Sequence, residues 1–254
     1  SSMVKSNDAD GALATLGAGR HADLAWTEIS SCINVGRTIW EDVVSGFREY
    51  LEAVKGLSGP GGGSPNDEMM RIFGFFDGFR VLCPVREGPC GVVALNRLVE
   101  EIMEKEGLLE RRRRWYPGRP ILILRNDYTL RLFNGDIGLV LPDMENRSDP
   151  RVFFPGPEGT FRSFHPQRLP EHETVWAMTV HKSQGSEFDE ILLVLPDRDS
   201  PVMTRELLYM AVTRARKKVT VLGSEPVLRQ AVARSTRRLS GLSDALWGAR
   251  ALGD

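Results

Sequence analysis

The stretch His181-Lys182-Ser183-Gln184-Gly185-Ser186-Glu187-Phe188 concentrates groups able to bind phosphate and sugar. Histidine, lysine and serine donate hydrogen bonds, glutamine does both, and glutamate accepts, while Gly185 permits a tight turn or a close backbone approach. On residue chemistry alone the stretch reads equally as a surface turn. A second concentration is Tyr209-Met210-Ala211-Val212-Thr213-Arg214-Ala215-Arg216. Arg214 follows an otherwise apolar helix face beside small Ala211 and Ala215. From there its planar guanidinium can enter a cleft to meet a phosphate. The competing reading is an arginine closing a helix C-terminus through the dipole, which suits Arg216, Lys217 and Lys218 better than Arg214.

Some chemistries are excluded. No Gly-Lys pair occurs anywhere, so the phosphate loop GxxxxGK[ST] is missing. Asp189-Glu190 precedes its apolar run instead of following one, so it is not a Walker B element. His165, His172 and His181 lack metal-ligand spacing. His181, Ser183 and Asp189 lie too close along the chain to face one another as a triad, and there is no GxSxG.

The elements that must position these residues follow from the apolar pattern. Residues 175–180, 191–195 and 219–222 read as buried strands. Thr204 caps a helix expected to run to about Arg216, with Leu207, Leu208, Ala211, Val212 and Ala215 on one face. Strands this apolar, joined by a helix, indicate a parallel sheet covered on both sides, whose ligands sit beyond the carboxyl ends of the strands. The polar loop at 181–187 leaves such an end, which is where chemistry is expected.

Upstream, 39–55 has the helical period, 59–63 is a glycine-rich loop, and Ser64-Pro65 opens a helix. The aromatic stripe Phe73, Phe75, Phe76, Phe79 belongs to a core. Residues 80–85 form a strand, 86–91 a loop and 92–105 a helix. From 119 to 169 the texture changes to five short strands at 120–124, 130–133, 137–141, 152–154 and 161–164, with a hairpin signal at Asn134-Gly135-Asp136. These predict a small β-barrel inserted into an α/β domain. A last helix is expected at 224–236, and 240–254 is weakly patterned. Residues 1–20 are expected to be a flexible tail, leaving 21–118 with 170–254 as the main domain.

The composition is ordinary for a soluble globular chain, 41% hydrophobic and 26% charged, with a formal net charge of −1. The distribution is uneven. Residues 205–238 hold nine lysines and arginines against two glutamates, a local surface for phosphates or a solvated face. No apolar run could span a bilayer and no signal peptide is visible. The three cysteines form no CxxC pair and are odd in number, so neither a disulfide scaffold nor a zinc site is expected and a reducing cytoplasm fits.

Together these motifs resemble the C-terminal part of the RecD family, the alpha subunit of exodeoxyribonuclease V, among superfamily 1 DNA helicases. TVHKSQGSEFDEILLVLP is similar to helicase motif V and TRELLYMAVTRARKK to motif VI. FRVLCPVREGPCGVVALNRLVE and GRPILILRNDYTLRLFNGDIGLVL extend the likeness, which runs from about 47 to about 242 and is poor over the first forty residues. The resemblance implies a second RecA-like motor domain with an inserted Src-homology-3-like barrel. The first motor domain, with the phosphate loop and Walker B, is absent. ATP and Mg2+ would bind only in the full-length protein, and the chain on its own is expected to be inactive. By motif position, Arg214 resembles the arginine finger. Glu187 matches the residue that meets the ribose, with Gln184 and Gly185 beside it. Thr179, His181 and Lys182 match positions near DNA. Arg86 lies in a family loop facing ATP or DNA and is grouped here with the nucleotide contacts. Asn126 and Asp127 in the barrel are expected to help shape a DNA surface.

The implied activity is 5′ to 3′ helicase movement on single-stranded DNA in repair and recombination, with RecB- and RecC-like partners and no membrane. The alternative is a non-catalytic DNA- or protein-binding module that kept the fold. A phosphate-binding enzyme of another class lacks the residues it would need.

Overall fold

The computed structural model describes residues 8–17, 21–57, 64–143 and 149–235. The glycine-rich stretch at 59–63 and the segment 240–254 lie outside them. The longer helices among the described residues are α1 Ala9–Gly17, α2 Trp40–Gly56, α3 Pro65–Gly78, α4 Val92–Lys105, α5 Arg205–Val212 and α6 Glu225–Ala233. Strands β1 Leu24–Glu28, β2 Phe79–Cys83, β8 Ala177–Thr179, β9 Phe188–Val194 and β10 Ala215–Gly223 form one parallel sheet. Its order is β1-β10-β9-β2-β8.

Alternation along these strands feeds two cores. Val81, Cys83, Leu192 and Val194 join α2, α3 and α4 on one face, where Phe73, Phe76 and Phe79 are buried. Leu82, Ile191, Leu193, Val219 and Val221 join α5 and α6 on the other, with Leu13 and Leu16 of α1 packed against them. Both faces are covered, which is why the strands read as unbroken apolar runs. The outer strand β8 would expose its ladder. Buried Asn96 of α4 fills that role, donating to the Ala177 carbonyl at 2.9 Å and accepting from its N–H at 3.1 Å.

Five further strands, β3 Pro120–Ile123, β4 Ile137–Pro142, β5 Pro150–Pro155, β6 Phe161–Phe164 and β7 His172–Thr174, pair antiparallel in the order β6-β5-β4-β3-β7. Ile121, Ile123, Leu132, Val140, Val152 and Phe154 make their own core. Leu139 and Leu141 point the other way, into the cluster under α2 and α3. That apolar joint also carries a polar chain, in which the Tyr116 hydroxyl donates to Glu100 of α4 and accepts from Trp176 Nε1.

The structure departs from the sequence expectations at several points. Residues 130–133 are not a strand. Asp127 accepts from the Leu130 N–H and Asp136 from the Phe133 N–H, so side chains take the bonds a ladder would need, and one bridge, Asp127 to Leu132, remains. The sheet instead gains β7, beyond the boundary expected at 169. The stretch expected to be a tail contains α1, and Leu24–Glu28 is the parallel edge partner of β10. The helix from Thr204 stops at Val212, where the Thr213 hydroxyl donates back to the Tyr209 and Met210 carbonyls. Arg216, Lys217 and Lys218 therefore lie on β10, not on a helix end. Cys32 and Cys90 are joined in a disulfide across 58 residues with Cα atoms 5.6 Å apart, while Cys83 is free and buried. Folding, not a spacing motif, brings that pair together. The argument from unpaired thiols for a reducing compartment does not carry over to it. Among the described residues no helix is long and apolar enough to cross a membrane.

Candidate functional site

The loop between β8 and β9 organises the candidate residues. Thr179 at the end of β8 stands beside Cys83, one rung past Leu82, which pairs with Leu193. The loop thus leaves the carboxyl end of the sheet. It must return to Phe188, the first residue of β9, which is six residues before Val194. At ~3.3 Å per residue the drop is roughly 20 Å. Residues 180–187 cover it without a crossover helix. Ser183 is buried and its hydroxyl donates to the Val180 carbonyl at 2.7 Å. Gly185 turns the chain at φ +89°. The loop leaves the carboxyl end, as its sequence suggested, and then spans the sheet, which divides the candidates into two clusters.

At the carboxyl end, Thr179 Oγ1 accepts from the Lys182 N–H at 3.3 Å. Lys182 Nζ pairs with Glu173 at 2.9 Å, and Arg86, from the loop after β2, pairs with the other oxygen of Glu173 at 2.8 Å. Burial pushes the Glu173 carboxyl up, but hydrogen bonds from Arg86 and Lys182 outweigh it and hold it below the usual carboxylate range. His181 and Gln184 are exposed. Glu173 lies on β7 of the antiparallel sheet, so this bridge also ties that sheet to the two loops. Sequence reasoning missed it. Nothing in Glu171-His172-Glu173 marks one acid from the other until β3 pairing fixes which way each points.

At the amino end, Arg214 immediately precedes β10. Its carbonyl accepts from the Phe188 N–H at 2.8 Å, the first rung between β9 and β10. Its guanidinium folds back, Nε donating to the Met210 carbonyl at 3.2 Å and Nη1 to the Ser186 carbonyl at 3.1 Å. Among the described residues no carboxylate pairs with it. Glu187 is exposed, between the two residues bonded to Arg214. Next along the chain, Arg216 and Lys217 both pair with Asp189 of β9 at 2.9 Å, and hydrogen bonds from Lys217 and Arg216 hold that carboxyl below its usual range.

Asn126 joins neither cluster. It lies in the loop between β3 and β4, where its Oδ1 accepts from the Asn134 N–H at 2.8 Å and braces the turn. Among the described residues no three histidine, cysteine, aspartate or glutamate side chains gather to hold a cation.

Residues 174–222, which hold both ends of this loop, match the UvrD-like helicase C-terminal domain. The chain is 46% identical over 166 residues to the RecBCD enzyme subunit RecD of Mycobacterium tuberculosis, covering 65% of this chain and 28% of that protein. It is 38% identical over 247 residues to its counterpart in Mycolicibacterium smegmatis, covering 96% of this chain and 40% of that one. Over 168 residues it is 32% identical to the ATP-dependent RecD2 DNA helicase of Deinococcus radiodurans, covering 65% and 23% of the two. The chain thus spans less than half the length of each relative.

Proposed function

The chain belongs to the RecD family, and on that footing we propose that it forms the second motor domain of an ATP-dependent DNA helicase moving 5′ to 3′. In this reading the antiparallel sheet is an inserted Src-homology-3-like barrel. A first motor domain outside this sequence supplies the phosphate loop and Walker B. RecB- and RecC-like subunits are the proposed partners of the parent, because two of the relatives carry the name of a RecBCD subunit.

The observation that carries the proposal is the setting of Arg214. A guanidinium held by two carbonyls and the Thr213 hydroxyl, with no carboxylate on it among the described residues, is oriented without being neutralised. That is the state required of a group that meets a γ-phosphate across a closing cleft. Glu187, exposed beside it, is placed to accept from a ribose hydroxyl, with Gln184 and Gly185 on the approach. These residues suit the phosphate and sugar of ATP, and in this reading Mg2+ is held by the other motor domain, since among the described residues of this chain no acids, histidines or cysteines gather to hold a cation. Bound there, Mg2+ would offset phosphate charge. The work of this chain is to bring Arg214 to the developing charge and to exclude water as the cleft closes. Thr179, His181 and Lys182 form half of the single-stranded DNA track, and Arg86, grouped with the nucleotide contacts on sequence grounds, is reassigned to that track because it shares Glu173 with Lys182.

The test is ATP hydrolysis with saturating single-stranded DNA, in the full-length parent and in this chain alone. The parent is expected to turn over and the chain alone not to. Hydrolysis that co-purifies with this chain, in proportion to its concentration, would overturn the division of labour.

A further inference from the structure

The Cys32–Cys90 disulfide joins two segments from different parts of the fold. Cys32 opens a single 3-10 turn, Cys32–Asn34, on the way from β1 to α2. Cys90 closes the loop 86–91, which carries Arg86, and stands two residues ahead of α4. The other bonds of that loop are local, apart from the pair between Arg86 and Glu173. The Gly91 N–H donates to the Gly88 carbonyl at 3.0 Å and the Val92 N–H to the Val85 carbonyl at 3.1 Å. The chain folds on itself so closely that a Cβ on Gly91 would lie 2.5 Å from the Glu87 carbonyl oxygen. Such a tight turn carries what happens at Cys90 through to Arg86.

The two sulfurs differ in setting. Cys32 lines a surface cleft of about 380 Å³ together with Asn34, Arg37, Pro89 and Leu98. Among the described residues lining it, Cys32 is the one cysteine and Arg37 the one charged side chain. Ile33, next to Cys32, is 84% exposed, so this turn lies at the surface. Cys90 precedes Gly91, the N-cap of α4, whose first turn holds no acidic residue. A helix N-terminus stabilises a thiolate. Cys90 is therefore the better leaving group, and Cys32 is the sulfur on the cleft side. The third cysteine does not compete. Burial pushes the Cys83 thiol up to about 12, so it stays protonated and unreactive.

From this asymmetry we propose that Cys32–Cys90 is a thiol–disulfide exchange site for small dithiol reductants, and that its reduction unclamps the loop carrying Arg86. The incoming thiolate, drawn by Arg37, attacks Cys32 Sγ from the cleft. The S–S bond breaks, a mixed disulfide forms on Cys32, and Cys90 leaves as a thiolate that takes up a proton. The second thiol of the reductant then displaces Cys32 and closes the reductant into a cyclic disulfide. Two electrons and two protons pass from the dithiol to the protein, which ends with two thiols. Oxidation by a small disulfide runs the same steps backward. The reduced loop keeps its local bonds but loses its covalent tie to the turn after β1, so the bridge from Arg86 to Glu173 is held less firmly. The site is argued from its own residues and does not rest on the helicase reading.

The first experiment treats the oxidised chain with the monothiol 2-mercaptoethanol near pH ~8, where a free thiol is partly ionised. A monothiol stalls at the mixed disulfide. Iodoacetamide then caps free thiols, and peptide mass spectrometry locates both groups. The adduct is expected on Cys32 and the alkyl group on Cys90. The reverse pattern, or no reaction until urea unfolds the chain, would overturn the exchange site. Arg37→Gln is expected to slow adduct formation about threefold at low salt and to lose that effect at high salt. An unchanged rate at low salt would mean that the thiolate does not enter by the cleft. Hydrogen exchange then compares the oxidised chain, the chain reduced with dithiothreitol, and Cys32→Ser. Amides at 86–91 are expected to exchange about tenfold faster in both open forms, with those at 190–194 unchanged. The dithiothreitol arm decides the matter if Cys32→Ser does not fold. Equal exchange at 86–91, or a rise spread evenly over the sheet, would make the bond a structural staple and overturn the clamp. No nucleic acid is present in either experiment, so failure here leaves the helicase reading standing, and failure of that reading leaves the exchange site.

Discussion

The two ends of the 180–187 loop hold positive charge in opposite ways. At the carboxyl end of the sheet, Arg86 and Lys182 share the carboxylate of Glu173. At the amino end, Arg214 leans on the carbonyls of Met210 and Ser186. A carbonyl fixes a guanidinium but leaves its charge, whereas a carboxylate fixes and cancels it. A phosphate reaching the carboxyl end must exchange with Glu173. One reaching the amino end meets charge that nothing in the described residues offsets. The first arrangement suits binding that must be released at every step. The second suits a group that acts strongly at one moment. Each reading can be broken by a single substitution.

The largest expected effect is at Arg214. In the full-length parent, Arg214→Ala should lower DNA-stimulated ATP turnover by about 10³-fold or more, the range of arginines that act across a cleft. Arg214→Lys should recover little, because an ammonium lacks the planar fork. DNA affinity in the absence of nucleotide should stay within about twofold, read by the anisotropy of a labelled oligothymidylate. Near-normal turnover in Arg214→Ala would remove the distinction between the two ends.

Gly185 joins the ends, and replacing it tests whether they are mechanically coupled. At φ +89° a side chain is strained, although no atom lies within 4 Å of where its Cβ would stand. Gly185→Ala should therefore cost about 1–3 kcal/mol through backbone strain alone, measured as a fall in urea stability. A fall well under 1 kcal/mol would mean the loop relaxes locally and the two ends are independent.

How much of this was legible in the sequence follows the same physics. The central strands were readable because burial on both faces leaves one apolar run per strand, and α4 was readable from its period. Strand β1 was not, since Leu24–Glu28 is only five residues long and owes its conformation to β10. Residues 215–218 look like a helix tail because α5 leads into them. They extend because β9 supplies Asp189 and Glu190 as partners across the ladder. Arg214 and Glu187 were picked out by residue type and motif, but the end of the sheet they occupy was not, because only the register of β8 and β9 shows that the loop changes ends. Glu173 was invisible: one acid in a polar stretch becomes a shared partner only when the second sheet folds.

Glu173→Gln sharpens the other side of the comparison. It keeps the shape and frees both cations. Affinity of this chain for oligothymidylate should rise severalfold, and the salt slope should steepen by up to ~1.4 if both cations then meet phosphates. The pH dependence has a definite sign. The folded carboxyl is depressed, so its stabilising bridge is complete above the ordinary glutamate value near ~4.3 and is lost as pH falls through the lower folded value. Unfolding followed in urea from pH 7 downward should therefore show the wild type losing an acid-side increment that Glu173→Gln lacks. Unchanged affinity and slope in the variant would mean that Arg86 and Lys182 are structural cations.

The smallest expected effect belongs to Arg216, and it matters because Arg216 is the nearest control for Arg214. The two differ by two positions in the chain, yet Arg216 faces Asp189 on an exposed ladder and shares that acid with Lys217. With 53% of its side chain exposed, solvent screens the pair, and exposed ion pairs contribute about 1 kcal/mol or less. Lys217 remains on Asp189 when Arg216 is removed, so no carboxylate is left unpartnered. Arg216→Ala should therefore leave urea stability of this chain within about 1 kcal/mol of wild type and ATP turnover of the parent within about twofold. High salt should shrink even that difference, since a Debye length of ~3 Å at 1 M screens exposed charges. If Arg216→Ala instead abolished turnover in a folded parent, the working guanidinium would be the one held by a carboxylate. The rule drawn from the two ends of the loop would then be wrong.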